Sequence, residues 1–384
     1  MKVYLILAIF LPFVTVYLLL TISVSAQQSP YIYSCFEPGL LISPTVSFSP
    51  TLIPPPNLTT TFAPGQTLSL SPTQVISPTP MQSPTQTVSD TCRAGSKTLV
   101  KGEGICDERT NAVNLCEGNN QMVAKQNYCG TGRVCRNQTN SNQIKCEAVC
   151  QLRMGTGDIQ TKADLVALAE DYKSHDEFIT AVDKGVMALT KTNLGPERLG
   201  KINVWALLDL NQSYFQGFNC PTPKGSLVAC WNYAKAAQYA LSTCGGDIHL
   251  ILNNDTHRIG SVGGIAIWGS AYIYNFAFDY PTVPHELGHA MAGLSDEYSF
   301  GIAALPGTKE GINCAPLGSS SQTTPCPKWA ARFPNTGCYP RCGYTNFFRP
   351  MQKSIMDRGG ANASYDFNEP SLVDGWDEVL KYFN

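Results

Sequence analysis

Fifteen cysteines constrain this 384-residue chain more than any other feature. In a reducing cytosol so many thiols would be a liability unless they held metal; outside it they are natural as disulfides. Cys92, Cys106, Cys116, Cys129, Cys135 and Cys146 crowd a short stretch that is otherwise glycine, asparagine and polar residues. A segment this small and polar has little core, so disulfides must hold it. Six cysteines allow 15 pairings, and the sequence does not choose among them. Parity narrows the remainder. Cys220, Cys230, Cys244, Cys314, Cys326, Cys338 and Cys342 are seven, an odd number that Cys150 makes even. With full oxidation, the first six pair among themselves, Cys150 bridges to the large C-terminal part, and Cys35 is left over.

The N-terminus points to the same compartment. After Lys2 an apolar run extends to about Val24, and Val24-Ser25-Ala26 carries the small residues of a signal-peptidase site. The run also approaches membrane-spanning length, so residues 1–26 read as a signal peptide or as an N-terminal membrane anchor. From Gln27 to Thr91 there is no Lys or Arg, so by the positive-inside rule the chain beyond residue 26 faces outward. A net charge of −2 offers no basic surface for nucleic acid, and the N-terminal run supplies the one membrane tie expected.

Residues 27–90 are rich in proline, serine and threonine, as in Ser77-Pro78-Thr79-Pro80, and read as a disordered linker. Residues 91–150 form the cysteine-rich module, suited equally to recognition or to a protease-resistant spacer. Residues 151–384 read as one α/β or α+β domain. Its first helix is expected over Ala163–Ala169, with Thr161 as N-cap, and a second runs from Phe178 to Leu189. Strands are expected at Ile202–Leu208, Ile248–Leu252 and Gly264–Trp268, and further helices at Asn232–Leu241 and Ser371–Phe383.

The chemistry sits on His285-Glu286-Leu287-Gly288-His289. Histidines spaced i, i+4 project from one helix face and can take two tetrahedral positions on a single Zn²⁺. Glu286 lies beside the first ligand, where it reaches a metal-bound water rather than the metal, as a general base must. The bland reading is a pair of surface histidines. Against it, the chain has only five histidines, and the segment's Leu287, Ala290, Met291 and Leu294 mark it as buried. A third ligand is required. The metzincin pattern H-E-x-x-H-x-x-G-x-x-H places it at Ser295, but Gly293 comes one residue late. Gly293 can turn the chain back, which favours Asp296, then Glu297; His249, His257 and His175 are the distant alternatives. Tyr298 and Glu297 are candidates for supporting the ligands. Ser354-Ile355-Met356-Asp357 resembles a Met-turn, which would set Met356 beneath the metal ligands. The glycine-bounded strand at Gly264, Ile265 and Ala266 could pair with an extended substrate, or be an ordinary buried strand. Cys314, Cys326, Cys338 and Cys342 suit disulfides bracing a loop better than a second, structural zinc. Arg358 reads as a surface residue.

His285 through Tyr298, written H-E-L-G-H-A-M-A-G-L-S-D-E-Y, resembles the IgA-peptidase family of zinc metallopeptidases, which shows H-E-x-G-H followed by G-L-x-D-E-Y. The resemblance extends to Phe348-Arg349-Pro350 through Ser354-Ile355-Met356, and back to Asn203-Val204-Trp205-Ala206. It covers about residues 160–384. It implies a metzincin-like catalytic domain and endopeptidase activity, with His285 and His289 as ligands and Glu286 as base. The expectation is therefore an exported endopeptidase with one catalytic zinc, acting on a protein or peptide substrate. The alternative is a cell-surface binding protein with a vestigial metal domain, in which the cysteine-rich module does the recognition. An intact Glu286 argues against that alternative.

Overall fold

The computed structural model describes residues 89–384 apart from 139–140, 222–226, 256–263, 268, 275–280, 306, 317–325, 358–363 and 384. The signal or anchor segment, the linker of residues 27–90, Cys35, His257, Trp268 and Arg358 lie outside the described residues. No described helix is long and apolar enough to cross a membrane.

A six-stranded mixed sheet organises the C-terminal part. Its strands are β1 (Cys150–Met154), β2 (Ala163–Glu170), β3 (Ile202–Leu207), β4 (Ile248–Asn253), β5 (Gly264–Ile267) and β6 (Ser270–Tyr274). They lie in the order β5-β6-β4-β2-β3-β1. The inner strands are mutually parallel, while β5 and β1 run antiparallel at the two edges. Helices α1 (His175–Thr190), α2 (Tyr233–Cys244) and α3 (Thr282–Ala290) cover it.

The segment expected to be the first helix is the central strand β2. Every residue of β2 is buried. Leu165, Ala167 and Ala169 pack on one face with Phe178 and Val182 of α1 and Val283 and Leu287 of α3. Val166 and Leu168 pack on the other with Ala236 and Ala240 of α2. A strand buried on both faces has no alternation of apolar and polar residues, and its continuous run is easily mistaken for a buried helix. Thr161 caps nothing; its hydroxyl donates to Asp158 Oδ2 at 2.6 Å. The other helices start where side chains cap them: Ser174 accepts from Glu177 N and Asn232 from Lys235 N, and Gly245 closes α2 at φ +71°. The C-terminal helix expected at Ser371–Phe383 is instead one wide π-type segment, Ser371–Asp377, followed by a short α-turn, Glu378–Leu380.

Residues 91–148 form small antiparallel sheets closed by Cys92–Cys116, Cys106–Cys135 and Cys129–Cys146. Cys150 bridges to Cys244 at the end of α2, and Cys314–Cys342 and Cys326–Cys338 brace the segment beyond α3. The partition expected from parity is the one found at these residues. The four late cysteines form disulfides, not a zinc site. The compositional boundary at residue 150 is not a structural one, because residues 89–384 fall in one compact unit. A single residue, Val149, separates the module's last strand, Ile144–Ala148, from β1, and Val134 of the module belongs to the apolar core beneath α1 and α3.

Candidate metal centre

Helix α3 is built to carry its histidines inward. Pro284 falls in its first turn, where a missing N–H breaks no helical hydrogen bond. All of its residues except His289 are buried. Gly288, between the histidines, leaves no room for a side chain: a Cβ there would lie 2.9 Å from Met356 Sδ. Met356 thus packs directly against the helix at Gly288. Beyond α3, Gly293 takes φ +61°, a left-handed conformation that suits glycine, and Leu294 N bonds back to Gly288 O at 3.0 Å. This reversal returns Asp296 to the histidines.

Three donor atoms converge. His285 Nε2, His289 Nε2 and Asp296 Oδ1 are mutually 3.2 Å apart. The opposite ring nitrogens fix the tautomers: His285 Nδ1 donates to Ile355 O at 2.8 Å and His289 Nδ1 to Leu294 O at 2.5 Å. A carbonyl only accepts, so in each neutral ring Nδ1 carries the hydrogen and Nε2 presents a lone pair. Two lone pairs and a carboxylate oxygen then face a common point, an arrangement that calls for a cation. The spacing suits zinc. A tetrahedral ion with bonds of roughly 2.0–2.1 Å separates its ligands by about 3.3–3.4 Å. Among the described residues this is the one group of three or more metal-ligating side chains close enough to share an ion.

The electrostatics follow from burial and from the paired charges. Burial pushes the His289 imidazole down, but the adjacent Asp296 carboxylate outweighs it and holds the ring up at about 9. His285 is raised in the same way, its hydrogen bond to Asp296 overcoming burial. Burial pushes Asp296 up, yet the two imidazoles hold it well below the usual carboxylate range. Burial raises Glu286 against the pull of both histidines. The Glu286 side chain lies against the backbone of β5, where a Cβ on Gly264 would fall 2.7 Å from its Cγ and 2.9 Å from Oε1. Gly264, Ile265 and Ala266 therefore form an edge strand beside the candidate base.

Glu297 touches no ligand histidine. It is wholly buried, and its carboxylate accepts from Asn313 Nδ2 at 2.8 Å, from Ser354 Oγ at 2.6 Å and from Asn368 Nδ2. Its backbone N–H donates to Met356 O at 2.7 Å, and its carbonyl accepts from Arg349 Nη1, which also holds Asp357. Glu297 thereby ties the Asp296 loop to the Met356 turn. The Tyr298 ring lies parallel to His285, 6.5 Å away at 15°, and burial together with the Asp296 and Glu286 charges raises its phenol.

Of the distant histidines, His249 and His175 stay away from the cluster, and His257 lies outside the described residues. His249 is buried in β4, where burial lowers it to about 4, and His175 is buried at the start of α1, 3.6 Å from Glu108 of the module. Sequence reasoning missed Asn313 and Asn368, which organise the carboxylate loop; a buried asparagine in an irregular segment leaves no local signal. A scan against protein-family models and a comparison with curated proteins return no match to this chain.

Proposed function

We propose that this protein is a zinc-dependent endopeptidase working outside the cytoplasm, with a metzincin-like catalytic domain of the IgA-peptidase type. The observation that carries this reading is the triangle of His285 Nε2, His289 Nε2 and Asp296 Oδ1, 3.2 Å on each side, with the Glu286 carboxylate beside it. His285, His289 and Asp296 would hold the ion. When bound, zinc lowers the pKa of a coordinated water and polarises the scissile carbonyl.

The remaining work falls to this chain's own residues. Glu286, buried and with its pKa raised, takes the proton from the attacking water and delivers it to the departing amine. Among the described residues the outer edge of β5 pairs with no other strand, and it suits an extended peptide whose backbone would add to the sheet as a further antiparallel strand. Ile355 O and Leu294 O hold the ligand rings, so the site is set before substrate arrives. The disulfides among the described residues fit an oxidising compartment.

The test joins metal content to hydrolysis. The purified full-length chain should contain one zinc and cleave denatured casein. Glu286→Gln should keep the zinc and lose hydrolysis, because Glu286 is assigned as base and not as ligand. Loss of zinc in a folded Glu286→Gln protein would contradict that assignment. A native chain that binds zinc and cleaves nothing would favour the binding-protein alternative.

A further inference from the structure

Asp296 reaches the histidines from a segment that is neither helix nor strand. After α3 the chain takes no regular structure until Ser299, which makes a single bridge to Gly343. Such backbone has no ladder to fix it, so its polar groups must be held from outside. Two neighbouring segments do this. On one side is Asn313, wholly buried. Its Oδ1 accepts from Ser295 N at 2.8 Å, and its Nδ2 donates to Ser295 O and to Glu297 Oε1, each at 2.8 Å. The amide thus bonds the residues on both sides of Asp296. Its carbonyl and both its hydrogens are used, and a flipped amide would set N–H against the Ser295 N–H, so it has one orientation. On the other side is Gly343, whose N–H donates to Tyr298 O at 2.9 Å and whose carbonyl accepts from Phe300 N at 2.8 Å.

These two grips are joined. Cys314 follows Asn313 and Cys342 precedes Gly343, and the two cysteines form a disulfide with Cα atoms 5.6 Å apart. Both are buried and pack with Phe347. The other disulfide of this region, Cys326–Cys338, braces a separate apolar cluster with Trp329 and Phe333. We propose that Asn313 is the positioning residue of this centre: its amide, kept in place by the Cys314–Cys342 disulfide, sets the backbone around Asp296 and so the direction from which that carboxylate meets the ion. Asn313 touches no ligand side chain and acts on the metal only through Asp296. The inference rests on the zinc reading of the same site and adds the device that sets its metal affinity.

Asn313→Ala removes the amide and leaves the disulfide, whereas Cys314→Ala with Cys342→Ala removes the link and leaves the amide. Zinc affinity of each full-length variant is measured by competition with a chromogenic chelator, alongside urea unfolding of the metal-free protein. The dissociation constant of Asn313→Ala should rise roughly tenfold to hundredfold, the usual loss for a group that orients a ligand, and that of the double cysteine variant at least about fivefold. Loaded with Co²⁺ instead, both should show altered visible bands, because Asp296 meets the ion from a changed direction. Cys326→Ala with Cys338→Ala is the control: it should lower stability yet keep zinc affinity within about twofold of native and the cobalt bands unchanged. An Asn313→Ala protein that binds zinc within about twofold of native, with native cobalt bands, overturns the proposal. So does a control that loses as much zinc affinity as the Cys314 and Cys342 variant, and this comparison decides alone where Asn313→Ala does not fold. If the native chain itself takes up no stoichiometric zinc, the proposed function falls and this inference with it; native uptake that ignores Asn313 and the disulfide removes this inference only.

Discussion

Glu297 offers the sharpest test of the carboxylate loop, since two substitutions there separate its charge from its hydrogen bonds. Burial pushes its carboxyl up to about 7, although the Ser354, Asn313 and Asn368 donors pull it down. In the unfolded chain the group returns to its ordinary 4.5. Between these values the folded protein keeps a proton that the unfolded chain has released, so stability falls as pH rises. The gap corresponds to about 3 kcal/mol, at about 1.4 kcal/mol per pH unit, and full burial leaves little solvent screening to reduce it. This stability is complete below pH 4.5 and gone above 7. Glu297→Gln keeps an acceptor for the asparagines, and the Ser354 hydroxyl can turn to accept from its amide. The variant should therefore fold well and lack this component of the pH slope. Glu297→Ala strands three buried donors at roughly 1–3 kcal/mol each before relaxation, for a net loss of about 3–5 kcal/mol. Urea unfolding of the metal-free protein, disulfides intact, at steps from pH 5 to 7.5 gives both quantities. Other groups titrate in this window, so the native-minus-Gln difference is the quantity to read. A difference flat across that range would refute the argument, as would an Ala variant that loses less than about 1 kcal/mol.

Three further predictions concern the site and its frame. Asp296→Ala should weaken zinc binding well beyond the roughly hundredfold limit of indirect effects, while Glu297→Gln stays within about tenfold; titration with the reverse result would exchange the two roles. Gly264→Ala should push Glu286 from its place, cutting casein hydrolysis at least about tenfold with zinc affinity unchanged, since the new Cβ would fall 2.7 Å from Glu286 Cγ. Replacing Cys150 and Cys244 together by alanine removes a crosslink across a sequence separation of 94 and should cost about 4–5 kcal/mol, read as a lowered melting temperature.

How much of this was legible depended on how local the signal is. His285, Glu286 and His289 lie within two helical turns, so their spacing alone states their geometry. Asp296 was reachable because Gly293 marks where the chain must reverse. The hub at Glu297 was not, because its partners Asn313, Ser354 and Asn368 lie 16, 57 and 71 residues away. In the fold, amphipathic α1 was readable from its apolar spacing, whereas β2 was misread because burial on both faces erases periodicity. Two strands of the main sheet were missed for different reasons. β6 begins at Ser270, three positions after β5 ends at Ile267, too soon to look like a separate element, and β1 is an edge strand whose Gln151 and Arg153 dilute the apolar pattern.

The joint at Val149 has a consequence for anyone who would trim this chain to residues 151–384. Its N–H bonds to Gly132 O in the module at 3.0 Å, and its carbonyl accepts from Leu208 N beside the main sheet at 2.7 Å. Cutting at the compositional boundary would split β1 from the strand that feeds it and remove the half-cystine that pins it to α2. Once β1 frays, the outer edge of β3 lies open, a row of unpaired amides and carbonyls on a strand of largely apolar residues. Such an edge recruits strands from other molecules, so the shortened protein would precipitate or form inclusion bodies rather than stay a soluble monomer.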